Sequence, residues 1–314
     1  MSTASRLPEL ARRVTSRLPT TVNSTVRRLS VLSLAGQITL IVTGGAVRLT
    51  ASGLGCPTWP RCTETSLVNT PEMGLHGFIE FGNRLLTFAL AAIAALMLVY
   101  LWNLRKERKD MFLLALGLLA SIPAQAVIGG ITVLTNLNPW VVGMHFLVSM
   151  ALVVFATLLV NRAHGRTGRF MAAPPPALPG VLRPLMTAVA ASAAAAVVLG
   201  VVVTGSGPHA GDADAPRNGL DWDFVSHLHA VPAYLVTAGT LFAVYLVFRN
   251  RITGIFRTAV LMLIGVTLLQ GVIGFTQYYN GVPALLVGAH MLAAALLISA
   301  ATNAADIARY SPVK

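Results

Sequence analysis

Charge is scarce in this sequence. Only 11% of its 314 residues are charged, where a soluble domain averages about 25%. With 55% hydrophobic residues and a mean hydropathy of +0.71, that deficit excludes an ordinary soluble domain. Acid is the rarer sign: 11 Asp and Glu stand against 23 Lys and Arg, for a formal net charge of +12. Cysteine is nearly absent. Cys56 and Cys62 are the only two, with five residues between them and no histidine beside them, which makes a poor zinc site. A secretory signal pattern is also missing. Met1 to Leu29 is polar, carries six arginines and lacks the small-residue cleavage site that follows an apolar core. Residues 1–29 are expected to be a cytoplasmic tail, partly amphipathic on the membrane surface.

What is present is length of apolar run. About 20 apolar residues span a bilayer, and eight such runs lie near 30–48, 78–102, 111–135, 139–161, 183–204, 224–248, 256–278 and 283–307. The expected fold is all-α and integral to a membrane. The fifth run is alanine-rich, which favours close helix packing. With the N-terminus inside, all but four of the 23 Lys and Arg fall in cytoplasmic segments or at their edges. The exceptions are Arg48, Arg61, Arg84 and Arg217. This is the positive-inside pattern. It places both termini in the cytoplasm of a multi-pass plasma-membrane protein, and it makes the basic excess an orienting device with no need of nucleic acid.

The chain repeats itself. "QAVIGGITVL" begins at Gln125 and "QGVIGFTQYY" at Gln270, and a histidine follows each glutamine by 20 residues, His145 and His290. "VTGGAVRL" (from Val42) echoes "VTGSGPHA" (from Val203). Two four-helix bundles are therefore expected, 30–161 and 183–307, with a proline-rich cytoplasmic linker at 162–182 and a tail at 308–314. An even number of helices per repeat gives both halves one orientation, so the pseudo-symmetry axis should run along the membrane normal, as in parallel repeats.

Five of the seven histidines, His76, His145, His227, His229 and His290, stand at the beginnings of even-numbered spans, all towards the outer face. Taken singly, an intramembrane histidine is as well explained as an interhelical hydrogen bonder. Five at one depth, two of them in repeat-equivalent positions, are not. His229 and His290 are 61 residues apart, and Asn83 precedes His145 by 62. Paired imidazoles on facing helices can clamp a haem iron axially. His227, two residues from His229, must face elsewhere and suits a structural role. Gln125 and Gln270 suit stitching between helices, and His209 suits an exposed loop. The first outer loop holds Cys56 and Cys62. Export permits a disulfide there, either a structural staple or a redox-active pair. The second, glycine-rich and acidic, is a candidate lid.

The segments "GGAVRLTASGLGCPTWP", "IEFGNRL" and "TGSGPHAGD", together with the two glutamine-to-histidine helices, resemble the haem A synthase family over roughly 30–307. The resemblance implies an oxidoreductase acting on a C–H group, which converts the C8 methyl of haem O to the formyl group of haem A. It implies a haem b cofactor in the second half on His229 and His290, and haem O in the first half beside His145. Electrons would leave by the haem b to a membrane acceptor. A haem O synthase would supply the substrate, and a homo-oligomer is compatible. The loop cysteines match the family's pair.

One position departs from the family. Its second helix reads Glu-x-x-His-Arg; here Glu80 and Arg84 match, but Asn83 replaces the histidine. Three arrangements stay open: one histidine ligand, His145; a haem nearer the surface on His76, seven residues and about 10 Å up the same stripe; or a labile position at Asn83. Glu80 is the candidate proton acceptor, neutralised by Arg84, with a purely structural ion pair as the alternative. Arg48 and Arg217, and less readily Arg84, are candidates for the haem propionates. Two other classes remain in view. A bis-haem cytochrome b would want a histidine at Asn83, and a parallel-repeat transporter would want broken helices at the midplane.

Overall fold

The computed structural model describes residues 15–314. Of the expected N-terminal tail, residues 1–14 lie outside the described residues. Eight long helices follow: α1 (Ser24–Leu49), α2 (Gly74–Tyr100), α3 (Lys109–Leu134), α4 (Pro139–Ala163), α5 (Leu182–Ser206), α6 (Trp222–Arg249), α7 (Ile255–Tyr279) and α8 (Ala284–Tyr310). All eight are long and apolar enough to cross a membrane. A single turn of 3₁₀ helix, Pro71–Met73, leads into α2.

The expected spans are all present, and most grow at their ends. The largest shift is α1, which starts at Ser24 because the Asn23 side chain caps it by accepting from the Val26 amide. Asn138 caps α4 directly before Pro139, and Asp221 caps α6. Caps are local polar devices that a hydropathy window does not register. Pro123 in α3 and Pro232 in α6 sit inside continuous helices, as transmembrane segments tolerate.

Within residues 24–163, α1 packs on α2, α2 on α3, α3 on α4 and α4 back on α1. Within 182–310, α5 to α8 close the same ring in the same order. The rings meet where α4 lies on α8, flanked by α1 on α8 and α4 on α5. Two glycines make those flanks close: Gly143 of α4 faces Val201 of α5, and Gly288 of α8 faces Leu49 of α1. Each ring has its own apolar core, one built around Met97, Leu101, Met111 and Leu159, the other around Met186, Phe256, Leu263 and Ile307. α4 lends side chains to both.

At the basic end, a polar cluster bridges the rings. Asp306 of α8 accepts both arms of Arg162 from α4 at 2.7 and 3.0 Å, the Asn161 amide at 3.0 Å and the Thr167 hydroxyl at 2.7 Å. Asp110 approaches Arg162 at 3.8 Å and Arg108 at 3.5 Å. The linker after α4 is irregular, as its prolines require, and Leu178 pairs with Pro312 and Lys314 of the C-terminal tail.

Candidate functional site

The polar residues at the opposite end rest on glycines. Each odd-numbered helix presents a glycine to the key side chain of the next helix. A methyl group at Gly200 of α5 would lie 3.1 Å from Cε1 of His229 in α6, and one at Gly274 of α7 would lie 3.2 Å from Cε1 of His290 in α8. Gly129 of α3 seats His145 of α4 at 3.3 Å, and Gly44 of α1 faces the Asn83 amide of α2 at 4.0 Å. At the three histidine seats the missing Cβ leaves room for the imidazole against the neighbouring helix.

His229 and His290 face each other, their ring centroids 6.3 Å apart and their planes at 74°. His229 Nδ1 donates to the Ala196 carbonyl at 2.8 Å, which leaves Nε2 unprotonated and free to bind a metal. His290 Nε2 lies 3.2 Å from the Gln270 amide, and its Nδ1 is buried without a hydrogen-bond partner. Two metal–nitrogen bonds of about 2 Å, plus roughly 1 Å from each nitrogen to its ring centre, span about 6 Å. The observed separation matches. That is the separation two imidazoles around one haem iron would need, and the orphaned His290 Nδ1 marks a side chain that the protein alone does not satisfy.

In the first ring, His145 Nδ1 is likewise buried without a partner. Asn83 accepts from the Thr43 hydroxyl at 2.7 Å, so its carbonyl oxygen is already held. His76 is exposed, and its Nδ1 lies 2.9 Å from the Ser52 hydroxyl. It sits in the first turn of α2 and its ring contacts the outer loop. The repeat-equivalent glutamines differ: Gln125 stitches α3 to α4 through the His145 carbonyl and the Ser149 hydroxyl, as expected, whereas Gln270 touches the imidazole of His290 itself.

Glu80 and Arg84 stand one turn apart on α2. The first outer loop covers them. Glu80 is 6% exposed, pairs with Arg84 at 2.5 Å and accepts from the Cys56 amide. Arg84 donates onward to the carbonyls of Cys56, Thr58 and Arg61. The loop folds onto α2 because this ion pair satisfies backbone groups that would otherwise be buried bare. Cys56 and Cys62 form a disulfide and are fully buried. Trp59 carries the loop across to α3, where its indole lies on Gly130, next to the glycine that seats His145.

The second outer loop is tied to the first. Arg48 donates to the carbonyls of His209 and Thr204, and the Gly53 amide donates to Gly211. Arg217 donates to Ala215 and Pro208 within its own loop. Arg48 and Arg217, two of the three propionate candidates, both hold loop backbone here. His209, expected at the surface, is half-buried, with Nε2 2.8 Å from the Val282 carbonyl at the α7–α8 turn, because the lid folds down between helix ends. His227 is exposed and contacts its own helix at Asp223, a structural role. The glycine seats and Asp306 escaped the sequence reading. The seats had a signal, since Gly129 and Gly274 fall at the same place in the two glutamine motifs.

Residues 27–302 match the family model described as cytochrome oxidase assembly protein. A protein of Listeria welshimeri named "Heme A synthase" is 27% identical over 279 residues, 83% of this chain and 88% of its own length. One of Listeria monocytogenes with the same name is 26% identical over the same shares. A third, from Lysinibacillus sphaericus, is 28% identical over 144 residues, but that match spans only 46% of its length and 44% of this chain.

Proposed function

The chain belongs to the cytochrome oxidase assembly protein family, and from that membership, with relatives named haem A synthase, we propose that it converts haem O to haem A. The C8 methyl is oxidised in two successive two-electron steps, each adding a hydroxyl from water and releasing two protons, with the electrons passing to a membrane acceptor; the resulting geminal diol loses water to leave the formyl group. The observation that carries this reading is the asymmetry between the rings. One offers a facing histidine pair with a free Nε2; the other offers one histidine, His145, with a buried unpartnered Nδ1, and at the repeat position of His229 it has Asn83, a weaker ligand. A permanently held cofactor suits the first arrangement, and an exchangeable porphyrin suits the second.

His229 and His290 would hold a resident haem b. Bound there, it would supply one-electron iron chemistry for carrying electrons away from the substrate. The chain's own residues do the rest. The Ala196 carbonyl fixes the His229 tautomer. Gly200 and Gly274 set the imidazole positions. His145 orients haem O. Glu80 takes a proton released as the methyl is oxidised, while Arg84 and the Cys56 amide hold its carboxylate in place. The disulfide loop, pinned by Trp59 on Gly130, roofs that chamber and limits water. The two rings act as pseudo-symmetric halves of parallel orientation, with both termini cytoplasmic and both haem sites outward.

Extraction of the haems from purified protein tests the reading. Haem B together with haem O or haem A supports it. Haem B alone, filling both halves and unaffected by His145→Ala, assigns the chain to electron transfer instead.

A further inference from the structure

A cavity of about 500 Å³ opens between α4, α5 and α8 at the basic end of the molecule, away from the histidines. Its lining is layered. At the mouth stand Arg183, the second residue of α5, and Arg309, the last but one of α8. Both are exposed, and neither guanidinium has a hydrogen-bond or ion-pair partner among the described residues. Deeper lie Leu158, Val154 and Ala190. At about 1.5 Å per residue, Val154 and Ala190 sit on the order of 12 Å in from the helix ends. The single acid in the wall, Asp306, is fully engaged by Arg162, Asn161 and Thr167, so it does not oppose an anion at the mouth.

We propose that this cavity binds an anionic phospholipid, its phosphate between Arg183 and Arg309 and an acyl chain along Leu158, Val154 and Ala190. Basic pockets between transmembrane helices take anionic headgroups, and the planar guanidinium fork suits phosphate oxygens. Inorganic phosphate would satisfy the arginines and leave the apolar wall without a ligand. The site lies where two arginine-bearing helices meet α4, which contributes to both apolar cores, so a lipid seated there would brace the contact between rings.

Retention of lipid by the purified full-length protein decides the matter. After exchange into equal phosphatidylglycerol and phosphatidylcholine with matched acyl chains, extraction should recover phosphatidylglycerol in several-fold excess. The double variant Arg183→Gln/Arg309→Gln should remove the preference. Ala190→Leu, which fills the wall and keeps both arginines, should lower phosphatidylglycerol retention by itself; if the double variant loses helicity, this variant carries the decision. Equal retention of the two lipids by the unaltered protein overturns the proposal. So does thermal stabilisation by inorganic phosphate alone that equals the effect of phosphatidylglycerol, because the site is then one for free phosphate.

Discussion

At the scale of single residues, the glycine seats give the sharpest consequences. A Cβ 3.1–3.2 Å from an imidazole carbon forces the ring to move, and overpacking of this kind costs roughly 1–3 kcal/mol. Gly274→Ala should therefore lower haem b content or alter its absorption bands, with haem O binding retained. Gly129→Ala should do the reverse, disturbing the His145 chamber and sparing the cofactor. Haem extraction from the two variants separates these outcomes, and identical losses in both would argue against two independent sites. Glu80→Gln should keep both haems and stall conversion. It also leaves Arg84 without its carboxylate, for a loss of up to about 3 kcal/mol, moderated because Arg84 keeps its loop carbonyls. A normal yield of haem A from this variant would return Glu80 to a purely structural role as the latch of the loop.

At the scale of elements, the first outer loop is the one to watch. Its two ends of attachment are chemically different: the Glu80–Arg84 pair on α2 and an indole on a glycine of α3. Opening the disulfide with Cys56→Ser frees a short loop, worth about 2 kcal/mol by loop entropy, but both attachments remain. Haem b content should stay unchanged, and the melting midpoint should fall by a few degrees. Gly130→Leu attacks the other attachment. A Cβ there would meet the Trp59 ring at 2.4 Å, so the loop must lift, and haem A yield should drop while the His229–His290 site stays loaded. Much of this element was legible in the sequence. The cysteines, the Trp-Pro pair and the buried charges were all visible. Their joining was not, since nothing in local spacing says that Glu80 and Arg84 would turn towards the loop backbone.

At the scale of the whole molecule, the two rings are held at one end by the Arg162–Asp306 cluster and at the other by the crossed loops, where Arg48 of α1 grips the loop after α5. Asp306→Asn breaks a paired, buried charge, which typically costs 3–5 kcal/mol. Asp110 near Arg162 puts the expected loss at the lower end, about 3 kcal/mol. The thermal midpoint should fall more than for any loop variant, and haem binding should follow it down as the rings part. An unchanged midpoint would show that helix packing alone joins them.

The sequence by itself determined the number of spans and their order. Those follow from hydropathy, periodicity and chemical type, which act locally and survive without neighbours. Tertiary structure alone decided which way the polar side chains turned. His209 went inward to the Val282 carbonyl, Arg48 and Arg217 went to loop carbonyls, and His76 went to Ser52. Each choice depends on which unsatisfied backbone group the fold brings within hydrogen-bond reach. That is a property of segments distant in the chain, and no window along it contains the answer.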